Sequence, residues 1–378
     1  MKRVVFSGYY GMRNYGDDLF GVVNVYGARR WWPQLAPAIL APRIAGQDEC
    51  FTVPAFIPSD RYASDYASGK LIRALFMGKE LLNDNLLVFG GGSLFSSNRS
   101  KIMNVAGRIS GVRGKKLAAI GVSIGPFDTR ASEKSTLGLL RRFEYISVRD
   151  HASYEFLKGH DLEARVAYGR DLAGLAVSLA GPANHHSGDL PLLGYAPCAV
   201  HGQPEIARRI DDIFVETVRR RRELSVRVFN LNDHPIYGDS QRSHYVHRRL
   251  ADLGISTEVF NYAHAGVLGT WHAIAECSAM ISVRMHGAIT AYLTGVPFIL
   301  FEYHKKCSDF LDDIGQSSDI RVGTSDAELA TLESDGFDTQ LGRLISSPRA
   351  PVLDPVRYAD ESALHFTQAP WALSGEDS

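Results

Sequence analysis

Arg284 and His286 stand two residues apart in Ile281-Ser-Val-Arg-Met-His-Gly, where an apolar run gives way to a helical one. The stretch reads as a short strand, a turn, a helix from about Gly287 and a second strand from Val296, followed by Lys305 and Lys306. A guanidinium is a fixed cation, an imidazole exchanges its proton near neutral pH, and a helix start offers N–H groups. Together they suit an anion that must also exchange a proton. The competing structural roles are an ion pair for Arg284 and a helix cap for His286. Arg149-Asp150 closes a strand in the first half of the chain. A second arginine approaching Arg284 from an opposite wall would complete a clamp for a doubly anionic small molecule. Asp150 also fits an N-cap on the next helix.

Such turns work only at the carboxyl edge of a parallel sheet, where open α/β folds bind ligands. The chain alternates strands with helices of ten or more residues, the pattern of βαβ units. Arg3 to Ser7 predicts a first strand, and Asp17 to Arg30 a helix with Asp17 or Asp18 as N-cap. Residues 32 to 68, rich in Pro, Ala and Ser, predict loop with one or two short elements. Strands are expected at Leu86–Phe89, Lys116–Val122, Glu144–Val148 and Val166–Tyr168. Leu179–Asp189 is the linker candidate, and the alternation then restarts at Leu192. Helices are expected at Pro204–Glu223, Ser240–Leu253, Gly269–Cys277 and Lys306–Ile314, with strands at Ser225–Asn230 and Ser256–Phe260. The expected fold is α/β, two Rossmann-like domains with parallel sheets facing a central cleft. The expected domains are residues 1–180 and 190–345, with residues 346–378 as a segment returning to the first.

Two glycine-rich segments follow strands of the first half. Gly8-Tyr-Tyr-Gly11-Met-Arg-Asn14-Tyr-Gly16-Asp17 matches no dinucleotide or P-loop fingerprint. It can bring backbone close to a ligand, with Asn14 and Asp17 facing it, or it is simply a tight turn that needs glycine. Gly90-Gly91-Gly92 costs conformational entropy, which points to close approach of a ligand or of a partner helix.

The 378 residues exceed one ordinary core. A net charge of −1 argues against a nucleic-acid coat protein. Cys50, Cys198, Cys277 and Cys307 are scattered, which fits a reducing, cytoplasmic setting. His185-His186, His244 and His247 carry no metal signature. No run is long and apolar enough to span a membrane. Peripheral contact at the inner face would fall on Trp31-Trp32-Pro33 or Arg219–Arg222; the alternatives are a buried aromatic pair and a solvated helix end.

In order along the chain, these pieces resemble the polysaccharide pyruvyl transferase family. The resemblance rests on Gly8 to Asp18, Gly90 to Gly92, Ile120-Gly-Val-Ser-Ile-Gly-Pro126 and Ser147-Val-Arg-Asp150. It continues through Asp171-Leu-Ala173, Arg284-x-His286 with Ala291, Gly295 and Pro297, and Tyr303 with Lys306. Leu172 stands where the family usually has proline. The resemblance implies a GT-B-like fold and transfer of the enolpyruvyl unit of phosphoenolpyruvate onto a sugar as a cyclic ketal, with loss of phosphate. It implies a donor site at Arg149, Arg284 and His286, to which Lys306 adds charge. His286 is then the expected general acid, and Asp17 or Asp171 the base. Gly11, Asn14, Asp17, Gly91 and Gly92 are the expected acceptor loop. No metal or cofactor is required beyond phosphoenolpyruvate as co-substrate. The expected acceptor is a sugar or lipid-linked oligosaccharide, and no nucleic acid is expected. Two rivals remain open: a nucleotide-sugar glycosyltransferase, with Glu302 as the acid for a ribose, and a non-catalytic glycan-binding protein.

Overall fold

A strand buried on both faces must be apolar along its whole length, and Val4-Val5-Phe6 and Met280-Ile281 have no accessible surface. In the computed structural model such runs form two six-stranded sheets. The structure describes residues 2–47, 50–63, 66–83, 85–96, 117–181, 190–200 and 203–372. The first sheet comprises β1 (Arg3–Ser7), β2 (Ala36–Ile39), β3 (Leu86–Phe95), β4 (Leu117–Ile124), β5 (Phe143–Val148) and β6 (Arg165–Tyr168). Its order is β2-β1-β3-β4-β5-β6, and every pairing is parallel. The second comprises β7 (Leu192–Ala196), β8 (Ser225–Asn230), β9 (Thr257–Asn261), β10 (Ala279–Ser282), β11 (Phe298–Glu302) and β12 (Val322–Gly323). Its order is β12-β11-β10-β7-β8-β9, again all parallel.

In each sheet the winding reverses once, between β1 and β3 in the first and between β7 and β10 in the second. The loops leaving those strands splay apart there and open a crevice at the carboxyl edge. Those loops are Gly8–Asn14 and the end of β3 in one sheet, and Pro197–Val200 and Val283–Arg284 in the other.

The chain divides into two compact units, Met1–Leu179 with Arg357–Ser378, and Ala180–Val356. The helix Pro355–Thr367 carries the chain into the first unit. There Trp32 Nε1 donates to the Phe366 carbonyl at 2.9 Å, and Ser362 Oγ donates to the Asp171 carbonyl at 2.8 Å. Gly169 has no side chain because the Glu361 carbonyl and the His365 ring lie within 2.9 Å of where a Cβ would stand.

Several expected boundaries are corrected. The first helix runs Tyr15–Trp31 and is capped by Asn14, whose Oδ1 accepts from the Gly16 N–H at 3.2 Å; neither Asp17 nor Asp18 caps it. Asp18 instead points back and accepts from the Gly11 N–H at 2.6 Å, closing the loop on itself. Residues 32–68, expected as loop with one or two short elements, hold β2 and the helix Ser59–Ala63, and the helix Ala67–Leu82 that starts at their end was not expected. Gly90–Gly92 continues β3 and does not end it. The helix expected from Gly269 begins at Tyr262 and kinks at Gly266, whose φ is +74°. The strand expected from Val296 begins at Phe298, and Lys306 follows the first residue of the helix Lys305–Asp313. Lys116, His185, His186 and residues 182–189 of the expected linker lie outside the described residues.

Candidate active site

In the second unit, β10 delivers Arg284 to the crevice edge. Gly287 allows the helix Met285–Leu293 to start against that strand, since a Cβ there would lie 2.5 Å from Ser282 Oγ. Arg284 is the N-cap residue and His286 the second helical residue, so His286 is no cap. Arg284 meets Asp239, with Nε to Oδ2 at 2.6 Å and Nη2 to Oδ1 at 2.8 Å. Asp239 is fully buried and Arg284 is 17% exposed. Burial alone would favour the neutral guanidine, but the charge of Asp239 outweighs it and holds the Arg284 pKa above its ordinary value. The ion-pair role is therefore real. It consumes one edge of the guanidinium, and among the described residues Nη1 has no hydrogen bond.

Asp239 was not singled out from the sequence, where it reads as one more acid before a helix. Its Oδ1 also accepts from the Ala199 N–H at 2.9 Å, and its own N–H donates to the Asn232 carbonyl at 2.7 Å. One carboxylate thus ties together the turns after β7, β8 and β10. Beside it, burial pushes the Cys198 thiol up and raises the Tyr303 phenol, and the two share a hydrogen bond. Lys306 sits 6.0 Å from the centre of the Tyr303 ring. His304 caps the helix that carries Lys306, accepting from the Lys306 N–H at 3.3 Å. Burial and the Lys306 charge hold its imidazole below its ordinary pKa. Glu302, the acid that a ribose would need, is held by Arg321 through Nε at 2.9 Å and Nη2 at 2.6 Å.

In the first unit, β5 delivers Arg149. Its Nη1 donates to Asp171 Oδ2 at 2.6 Å, Nε to Ser123 Oγ at 2.9 Å and Nη2 to Ser93 Oγ at 3.4 Å. Its guanidinium also lies 5.9 Å from the centre of the Phe20 ring. Every nitrogen has a partner and the side chain is 7% exposed, so this arginine is held within its own unit. Burial opposes the charge, but Asp171 and Asp150 outweigh it and raise the Arg149 pKa. Asp171 is correspondingly occupied: Oδ2 by Arg149, and Oδ1 by the Ala173 N–H at 2.9 Å. Asp150 caps the next helix, accepting from the Ser153 N–H at 2.8 Å.

The glycine run answers to packing at two positions and to open space at the third. A Cβ on Gly90 would collide with Asn24 and with the Tyr10 hydroxyl, which donates to the Gly90 carbonyl. A Cβ on Gly91, where φ is +77°, would come within 2.5 Å of the Phe20 ring. Gly92, where φ is +82°, would meet only Asp17 Oδ1 at 3.7 Å and the Phe20 ring edge at 4.0 Å. Gly90 and Gly91 therefore admit the first helix, and Gly92 alone of the three leaves room for a Cβ. Gly11 is likewise a turn residue, with φ at +71° and Pro42 2.7 Å from its would-be Cβ.

Two Rossmann-like units, each with a buried arginine–carboxylate pair at its carboxyl edge, define a GT-B-like α/β protein. The S. aureus MnaA–UDP co-structure superimposes at TM-score 0.62 with 11% identity, covering 97% of this chain and 96% of that one. A Neisseria meningitidis UDP-GlcNAc 2-epimerase bound to UDP-GlcNAc gives TM-score 0.58 at 8% identity, covering 98% and 100%. The Methanocaldococcus jannaschii UDP-GlcNAc 2-epimerase with UDP-GlcNAc and UDP gives 0.57 at 10%, covering 95% and 98%. At these identities the likeness is one of fold. No curated protein matches the sequence. The chain belongs to the polysaccharide pyruvyl transferase family, whose model matches residues 14–305.

Proposed function

We propose that the protein transfers the pyruvyl unit of phosphoenolpyruvate to two hydroxyls of one sugar, forming a cyclic ketal and releasing phosphate. The observation that carries this reading is the turn after β10, where Arg284, paired with Asp239 through Nε and Nη2, stands beside His286 on the first turn of a helix. Phosphoenolpyruvate brings a carboxylate and a phosphate to such a turn. Because Asp239 already balances Arg284, the remaining positive charge comes from Lys306 and the helix start. His286 is the general acid. It protonates the methylene carbon, and C2 takes up the cationic character. A sugar hydroxyl adds to C2, phosphate leaves, and the second hydroxyl closes the ring. One hydroxyl proton restores His286 and the other leaves with phosphate.

Both oxygens of Asp171 are engaged, which weighs against that carboxylate as the base. Arg149 acts in this reading as a positioning residue that holds the Ser93 and Ser123 hydroxyls. Asp17 and Gly92 belong to the acceptor loop in this reading. The acceptor is a sugar of a surface-polymer precursor. A nucleotide-sugar donor is the weaker reading, because Glu302 is clamped by Arg321.

The test is turnover with phosphoenolpyruvate and thermal shift on wild type, Arg284→Ala and His286→Ala. Wild type should release phosphate and shift with phosphoenolpyruvate. Arg284→Ala should lose the shift. His286→Ala should keep it while losing at least about a hundredfold in turnover. A His286→Ala enzyme within tenfold of wild type removes the acid assignment, and a shift with a nucleoside diphosphate alone removes the donor.

A further inference from the structure

The helix Ala67–Leu82 is apolar on both sides. Met77, Glu80 and Leu81 point inward. Arg73 and Met77 line a cavity of ≈ 70 Å³ with Ser7, Met12, Phe89 and Leu94, beside the β1–β3 crevice. The outward face carries Leu71, Ala74, Leu75, Gly78 and Leu82. That spacing makes one stripe along an α-helix. Leu71 is 59% exposed, Leu75 63% and Leu82 57%. The same geometry sets Lys70 and Lys79, both exposed, along opposite flanks of the stripe. The helix has one carboxylate, Glu80, which is buried and accepts from Asn85 Nδ2 at 3.0 Å. Tyr66, just before the helix, is also exposed. The two places where the sequence suggested membrane contact are otherwise occupied. Trp32 is buried, and Arg219 and Arg221 pair with Glu216 and Asp338.

We propose that this helix lies in the plane of an anionic membrane surface, its leucine stripe among the acyl chains and Lys70 and Lys79 on the lipid phosphates. A stripe of leucine edged by lysine, with no exposed acid, is the pattern of an interfacial helix whose lysines reach up to the headgroups. Charge decides between occupants. Two copies of this face would bring four lysines together with no exposed carboxylate among the described residues of the helix to answer them, whereas anionic phosphates complement both flanks. Docking here sets the crevice that Met77 and Arg73 border next to the membrane surface, and it holds whichever donor the enzyme uses.

Vesicle flotation tests it. Wild type should float with phosphatidylcholine vesicles containing phosphatidylglycerol, remain behind with phosphatidylcholine alone, and detach as salt rises. Leu71→Ser with Leu75→Ser should lower partitioning by at least about tenfold. Lys70→Ala with Lys79→Ala should lower it by about twenty-fivefold, at roughly fivefold per charge. All four side chains are exposed, so melting midpoints should stay at the wild-type value. The proposal is overturned if wild type ignores anionic vesicles, or if both double variants float as wild type does. It is equally overturned if the leucine variant only converts a dimer to a monomer.

Discussion

Asp239→Asn isolates what the Arg284 pair does. The change keeps the volume and one acceptor oxygen but removes the charge that Arg284 faces across two hydrogen bonds of 2.6 and 2.8 Å. Removing one partner of a buried pair costs about 3–5 kcal/mol, because the remaining charge stays desolvated. The retained oxygen places the amide variant near the lower end, about 3 kcal/mol. At about 2–4 °C per kcal/mol, the unit Ala180–Val356 should melt about 6–12 °C earlier. Calorimetry reads that directly, and Trp271, buried in this unit, reports the same transition by fluorescence. A second arm follows from charge. The variant turn carries one more positive charge, so phosphoenolpyruvate should stabilise it more than it stabilises wild type. Saturating ligand at a hundredfold above its dissociation constant returns about 2.7 kcal/mol, most of the loss. A midpoint within 2 °C of wild type, by the same conversion under about 1 kcal/mol, would refute the account of a pair that tensions three turns. A full loss that no anion reverses would refute the placement of Arg284 against a ligand.

Other outcomes follow from the first unit. His365 is buried, with its ring nitrogens against Ser147 Oγ and the Arg170 carbonyl, and burial pulls its pKa from 6.5 to about 4. Its neutral form is the folded one. The stabilisation is complete above pH 6.5 and lost as pH falls toward 4, about 3 kcal/mol in all. Acid melts followed by Trp32 and Trp371 should show that limb, and His365→Gln should flatten it. Gly91→Ala should cost several kcal/mol, since a methyl at φ +77° strikes the Phe20 ring, whereas Gly92→Ala should cost only about 1–2 kcal/mol of backbone strain. Chemical denaturation separates the two, and in turnover Gly92→Ala should raise the acceptor KM more than it lowers kcat. Arg149→Lys keeps a charge near Asp171 but cannot reach Ser93 and Ser123 together. It should lose about 2 kcal/mol of stability and lower kcat without moving the midpoint shift given by phosphoenolpyruvate.

Two properties could be read before any fold was known. Apolar runs bounded by glycine, alternating with helices, commit the backbone to parallel sheets, because only βαβ connection covers both faces of such strands. Those sheets then force Arg149 and Arg284, each just past a strand, to their carboxyl edges. What the arginines meet there could not be read. Asp239 lies 45 residues from Arg284, and Asp171 lies 22 from Arg149. No local period links such partners, and only chain topology brings them within hydrogen-bond range. The glycine run shows the same division. Its composition announced close approach, but the Phe20 and Asn24 side chains that fill the space at Gly91 and Gly90 come from the packing of a helix, leaving Gly92 open beside Asp17. Sequence alone determined which residues carry charge to the site. The tertiary structure decided which of those charges are already spent on one another, because pairing depends on distances across the sheet and not on spacing along the chain.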